Sequence, residues 1–218
     1  MAYGENMKRL SPCSDELIAD TVYSFCGEPA SLLDVGCGRG ERLAFLAKRF
    51  PGARLFGVDI DGENAAVAKA AVTGGDIRIC GAEKLPFEDE SMELVLCECS
   101  LSLFSERERC VKEMHRVLKT GGSLVLADIY TDIEAENTAA ADGSCVGSIP
   151  LRKELEDLLY RSGFSLRWFS DRRDELTAMA AQMIFDGSFC GSVGMETAKM
   201  LKRLKAGYGL WIYEKEEI

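Results

Sequence analysis

The sequence predicts an α/β fold in which a parallel sheet is covered by helices on both faces. Three observations predict it. Five short, strongly apolar runs (31–35, 53–58, 76–80, 93–99 and 123–130) alternate with amphipathic helical stretches. Those runs lack the strict in–out alternation of a half-exposed sheet, as expected of strands buried on both faces. A glycine-rich turn, Gly36-Cys37-Gly38-Arg39-Gly40, joins the first run to the first helical stretch.

Each element has its own signal. After Ser31–Val35 (SLLDV), Leu43, Leu46, Ala47 and Phe50 recur at helical spacing, and Pro51-Gly52 stops the helix. The second strand, ARLFGV, is followed by Asp61, which can cap a helix running to about Val72, with Glu63 in a first turn that favours acids. DIRIC and ELVLCEC form the third and fourth strands. Ser105-Glu106-Arg107-Glu108 matches a capping box and predicts a helix with Val111, Met114 and Leu118 inward, ended by Gly121-Gly122. SLVLADIY is the fifth strand. Residues 131–147 are small, acidic and aperiodic and read as a mobile loop. Pro150 then opens a helix carrying Leu151, Leu155, Leu158 and Leu159, with Gly163 as its stop. Residues 164–170 read as a strand, 175–185 and 195–205 as helices, and 207–214 as a final strand. There are no repeats or linkers, so 1–218 reads as one domain.

Composition excludes several classes. Lys and Arg total 26 against 36 Asp and Glu, a net charge of −10, which disfavours general binding to a phosphate backbone. No apolar run approaches the roughly 20 residues of a membrane helix. The first residues have no signal-peptide core, and nine cysteines without one suggest reduced thiols and a cytoplasmic location. None of the cysteines forms C-x-x-C, so no zinc ribbon is predicted and no metal site is assigned.

The glycine turn is a ligand-binding signal. Glycines there let the backbone approach a ligand closely, beside a helix N-terminus with unpaired N–H groups. Asp59 ends the second strand 23 residues after Gly36, where a carboxylate can accept hydrogen bonds from ribose hydroxyls. The spacing is G-x-G-x-G, and Glu41 stands where a dinucleotide fingerprint has its third glycine. This argues against a nicotinamide-linked oxidoreductase.

Three blocks, LLDVGCGRGERLAFLAKRFPGARLFGVDID, GAEKLPFEDESMELVLCECSLSLF and MHRVLKTGGSLVLADI, resemble in order three motifs of class I S-adenosylmethionine-dependent methyltransferases (type 11-like). The resemblance covers about residues 30–130. It implies a Rossmann-like, seven-stranded, mostly parallel sheet with the last strand antiparallel, and S-adenosylmethionine as cofactor with S-adenosylhomocysteine as product. It implies that Asp34, Gly36, Gly38 and Gly40 serve the methionine end, that Asp59 binds the ribose and Ile60 covers the adenine, and that Ala82 and Glu83 flank the adenine's polar edge. Gly81 stands where an aspartate is common, and Thr120 where a proline is usual.

A second, more local resemblance concerns cysteines. Cys97–Leu103, Cys145–Ile149 and Cys26-Gly27 are similar to segments of arsenite methyltransferases, in which three thiolates bind trivalent arsenic, a soft acceptor. It implies Cys26, Cys99 and Cys145 as acceptor-side residues. The same residues also fit ordinary packing, since cysteine is often a small buried hydrophobe, and packing is the expectation for Cys13, Cys37, Cys80, Cys97, Cys110 and Cys190. His115 reads as a surface residue. The acceptor-side lid is expected from an N-terminal cap (1–29), the 131–149 loop and the 175–205 region. Met179, Met183, Phe185 and Phe189 are candidates for an apolar pocket or for helix packing. The functional expectation is a methyltransferase acting on a small-molecule acceptor by proximity and orientation. Two alternatives stand beside it: a metalloid methyltransferase, and a protein that binds S-adenosylmethionine without catalysis. Oligomeric state is not readable.

Overall fold

A computed structural model describes residues 11–134, 149–185, 199 and 201–217. Seven strands form one sheet in the order β3-β2-β1-β4-β5-β7-β6. They are β1 (Ser31–Val35), β2 (Arg54–Asp59), β3 (Asp76–Ile79), β4 (Met92–Glu98), β5 (Leu118–Tyr130), β6 (Phe164–Asp171) and β7 (Gly207–Lys215). β1 to β5 run parallel, and β7 lies antiparallel between β5 and β6. The expected mostly parallel, seven-stranded sheet with an antiparallel last strand is therefore observed.

Among the described residues the helices that cover it are α1 (Asp15–Cys26), α2 (Glu41–Arg49), α3 (Gly62–Ala71), α4 (Arg107–Val117), α5 (Arg152–Arg161) and α6 (Arg173–Phe185). Alternate residues along each central strand face opposite layers. Leu32, Leu94, Leu96, Val125 and Ile212 pack against Ile18 and Val22 of α1, Leu43 and Leu46 of α2, and Ala65 and Ala68 of α3. Leu33, Val35, Val95, Leu124, Leu126 and Trp211 pack against Val111 and Met114 of α4 and Leu155 and Leu159 of α5. Burial on both faces is why these strands read as continuous apolar runs.

Several local expectations need correction. The capping box at Ser105 does not form: α4 starts at Arg107 after Glu106, with no side-chain cap. Leu118 is not helical. It opens β5 and pairs with Met92, so this strand begins five residues before SLVLADIY. His115 is not a surface residue. Its ring lies edge-on to Phe164 at 5.1 Å, and its buried Nε2 lies close against Gly163. Phe185 is 87% exposed, whereas Met179 packs against the core. α1 was not foreseen, although Ser14 caps it by accepting from Leu17 N and Asp15 and Glu16 occupy its first turn. Cys145, Cys190, Phe189, the side chain of Met183, most of the 131–149 loop and residues 195–198 and 200 lie outside the described residues.

Candidate active site

The glycine turn is built by hydrogen bonds to its neighbouring strand. Gly36 N and Cys37 N both donate to Val58 O at 2.9 Å, which folds the turn over the end of β2. Gly36 has φ +79°, and a Cβ there would collide with the Ser100 hydroxyl. Glycine is thus required twice, for the left-handed backbone and for the close approach to the segment after β4. Gly38 (φ +53°) has open space where a Cβ would point. Gly40 has a different task. A Cβ there would sit 2.9 Å from Ala68, so this glycine lets α2 and α3 close on each other.

Asp59 fastens the turn from the other side. Its Oδ2 accepts from Gly38 N at 2.7 Å and its Oδ1 from Asp61 N at 2.8 Å. An ionised carboxylate has about four lone-pair positions, so acceptor capacity remains for two hydroxyls. Asp61 in turn caps α3, its Oδ1 accepting from Glu63 N at 2.8 Å and Asn64 N at 3.2 Å. Ile60, between them, is 77% exposed, an apolar side chain held out beside a carboxylate. Ala82 is buried, and Gly81 leaves room for the folded-back carboxylate of Glu83, which any side chain at 81 would displace.

At the C-terminal ends of β1 and β4, Ser11, Asp34, Gly36, Cys37, Gly38, Arg42, Glu98, Cys99 and Ser100 enclose a cleft of about 170 Å³. Ligands of open α/β sheets bind at such strand ends. Two of its acids, Asp34 and Glu98, are nearly buried. Glu98 is held by the Arg42 guanidinium, whose Nε and Nη2 reach its two oxygens at 2.8 and 2.6 Å. Burial pushes the Cys37 thiol up, and the Asp34 and Asp59 carboxylates reinforce it, so this cysteine is a neutral wall.

Cys99 lies just beyond β4 with φ +51°, and its N–H donates to Ala127 O at 2.8 Å. Its Sγ is 2.9 Å from the Tyr208 hydroxyl, a contact in which either group can donate, and that hydroxyl also reaches Ala127 O at 3.2 Å. Burial, and next the Cys99 thiol, raise the Tyr208 pKa well above the ordinary tyrosine value, leaving a neutral phenol at this edge.

The expected grouping of Cys26 with Cys99 does not occur. Cys26 closes α1 beside Ser123 of β5, whereas Cys99 bonds to Ala127, four residues further along that strand. Four residues of strand span about 13 Å. α1 runs against the strand direction, so it is Cys13 that lies at the cleft end, its carbonyl accepting from Arg42. Burial, with Glu98 adding to it, pushes the Cys13 thiol up to about 12. Among the described residues no group of three or more His, Cys, Asp or Glu could hold a metal ion.

Ser11, Arg42, Glu98 and Tyr208 were not singled out in the sequence. Arg42 had a signal: it stands four residues before Leu46, on the apolar face of α2.

Comparison with known proteins places the chain among methyltransferase-like sequences and folds. Residues 33–126 match the family model described as a methyltransferase domain, and the resemblance seen in the three sequence blocks is borne out over that stretch. The demethylmenaquinone methyltransferase of Chlorobaculum parvum is 37% identical over 91 residues, 42% of this chain and 37% of that protein. The arsenite methyltransferase of Aquipseudomonas alcaligenes is 27% identical over 167 residues, 68% of this chain and 47% of that protein. The chain thus spans about half the length, or less, of these curated relatives. The geranyl diphosphate C-methyltransferase of Streptomyces coelicolor was solved with Mg²⁺, geranyl diphosphate and S-adenosyl-L-homocysteine. It shares the fold, with a TM-score of 0.78 over 92% of this chain and 79% of that one, at 16% identity.

Proposed function

We propose that the chain binds S-adenosylmethionine in this cleft and transfers its methyl group to a small-molecule acceptor. The observation that carries the reading is the joint fixing of the glycine turn and Asp59: one carboxylate binds the Gly38 amide and retains acceptor capacity beside an open backbone. The residues present fit the cofactor. Gly36 and Gly38 expose main chain to its methionine part, with Asp34 behind them and Gly40 setting the approach of α2 to α3. Asp59 accepts from the ribose hydroxyls, Ile60 covers the adenine, and Ala82 and Glu83 border its polar edge. When bound, S-adenosylmethionine supplies an activated methyl group on a cationic sulfonium.

The chain's own contribution is orientation and exclusion of water. Holding donor and acceptor in line can supply about 7–11 kcal/mol in favourable cases, without a general base. Asp34 places a carboxylate in the cleft lining, suited to the cofactor's positive charge, whereas Glu98 is already paired with Arg42. Cys99 lines the cleft towards β7, with the buried Tyr208 hydroxyl behind the thiol. A net charge of −10 favours a small acceptor over nucleic acid. Among the described residues no helix is long and apolar enough to cross a membrane. The three-thiol metalloid reading loses Cys26 and is not adopted.

The test is release of S-adenosylhomocysteine when S-adenosylmethionine is incubated with a panel of small hydroxy, amino, carboxy, thiol and metalloid acceptors. Turnover with one class, with KM for S-adenosylmethionine raised in Asp59→Asn, is expected. Tight binding without turnover across the panel would mean a cofactor-binding protein instead.

A further inference from the structure

Arg42 has a role that the cofactor motifs do not explain. Its side chain is 3% exposed, and all five of its N–H donors are used. Nε and one Nη2 proton hold Glu98, the other Nη2 proton reaches Cys13 O at 2.9 Å, and Nη1 reaches Ser14 O at 2.8 Å and Asp15 Oδ1 at 2.7 Å. Ser11 completes the set, its hydroxyl donating to Glu98 Oε1 at 2.5 Å while it accepts from Cys13 N at 3.1 Å. One guanidinium therefore ties the segment 11–15 to the end of β4, and that tie crosses the cleft wall. Ser11, Arg42 and Glu98 are themselves cleft-lining residues.

The size of the cleft gives the tie a function. About 170 Å³ falls below the roughly 300–1,000 Å³ of small-molecule sites. The remaining walls belong to the hydrogen-bonded glycine turn and the end of a central strand, both fixed by backbone bonds. Segment 11–14 precedes α1 and is held to this wall by side-chain bonds. It is the wall that can give way.

We propose that Arg42 is a positioning residue whose fork straps segment 11–15 to Glu98 across the cofactor cleft, so that ordering of this strap and cofactor binding are coupled. The proposal rests on the cofactor reading above. Coupling is reciprocal: whatever loosens the strap weakens the cofactor, and the cofactor slows the opening of the strap. Lysine would keep the charge but lose the fork, holding Glu98 or the 13–15 segment and not both.

The test compares wild type, Arg42→Lys and Ser11→Ala by calorimetry with S-adenosylhomocysteine and by hydrogen exchange of the peptide 11–17. In wild type, S-adenosylhomocysteine slows exchange of this peptide. Arg42→Lys is expected to raise its exchange in the unliganded protein at least tenfold and weaken S-adenosylhomocysteine about tenfold, raising KM for S-adenosylmethionine more than it lowers kcat. Ser11→Ala gives the same signs at two- to threefold and keeps the proposal testable if Arg42→Lys does not fold. Unchanged affinity in the variants, or exchange of 11–17 indifferent to S-adenosylhomocysteine in a wild type that binds it, overturns the strap alone. Failure of wild type to bind S-adenosylhomocysteine overturns the cofactor reading and the coupling with it.

Discussion

The two walls of the cleft are made in different ways. The glycine-turn wall comes from one continuous stretch, β1 through the start of α3, and its bonds stay within that stretch: Gly36 and Cys37 to Val58, Gly38 to Asp59, Asp61 to Glu63. The opposite wall is assembled from distant parts of the chain, with Arg42 reaching Glu98 and Ser14, and Cys99 meeting Tyr208. The first wall is main chain tied within one stretch; the second is held by side chains from separate elements. The comparison teaches that local hydrogen bonding fixes where a cofactor can lie, whereas side-chain ties from remote elements set how it is enclosed.

The largest expected effect breaks the glycine-turn wall. Gly36→Ala forces an L-residue into a left-handed conformation, costing about 1–2 kcal/mol, and drives a methyl group into the Ser100 hydroxyl. Loss of measurable S-adenosylhomocysteine binding is expected by calorimetry, together with a lowered melting temperature. Arg42→Lys is its counterpart on the other wall and should weaken binding without abolishing it.

The next effect separates binding from stability. Asp61→Ala removes the cap of α3 while leaving Asp59 in place, and should cost about 1 kcal/mol in chemical denaturation. If cofactor affinity fell as far as in Gly36→Ala, the glycine-turn wall would depend on this cap and not on the turn itself.

The smallest effect lies away from both walls. Burial, with Lys215 reinforcing it, lowers the His115 pKa below its ordinary 6.5. The folded state then binds fewer protons than the unfolded state, so this contribution is complete above pH 6.5 and is lost as pH falls from there through the lowered pKa. Carboxylates held low by ion pairs, such as Glu93 beside Lys119 and Glu113 beside Arg116, steepen the loss below about 4.5, their ordinary value. His115→Gln should therefore flatten the fall in melting temperature between about pH 7 and 5, with S-adenosylhomocysteine affinity unaltered at neutral pH.

How much could be read in the sequence follows the same division. SLLDV, the glycine turn, Asp59 and the Asp61 cap were legible because each is a local pattern with a local physical cause. The sheet topology was legible as far as apolar runs imply burial on both faces. Arg42 with Glu98 was not, because an ion pair between residues 56 positions apart leaves no periodic trace. Cys26 was misplaced for a related reason: its neighbour Gly27 resembled a motif, but the direction of α1 puts Cys13, at the other end of that helix, by the cleft. The capping box at Ser105 was a local pattern overruled by its context. Ser100–Leu103 is held instead by Asp128, whose carboxylate accepts from Ser102 N and Oγ at 2.8 Å, and the chain enters α4 one turn later without a side-chain cap.

The central claim is that the fixed turn and Asp59 form the cofactor site. Calorimetric titration of S-adenosylhomocysteine into wild type and Asp59→Asn tests it most directly. Asparagine keeps the size of the side chain but loses the charge and one acceptor oxygen. With charged hydrogen bonds worth about 1.5–3 kcal/mol, affinity should fall roughly ten- to a hundredfold. Saturable one-to-one binding by wild type, weakened by that factor in a folded Asp59→Asn, is the predicted result; equal affinity in the two proteins, or no binding by wild type, would contradict it.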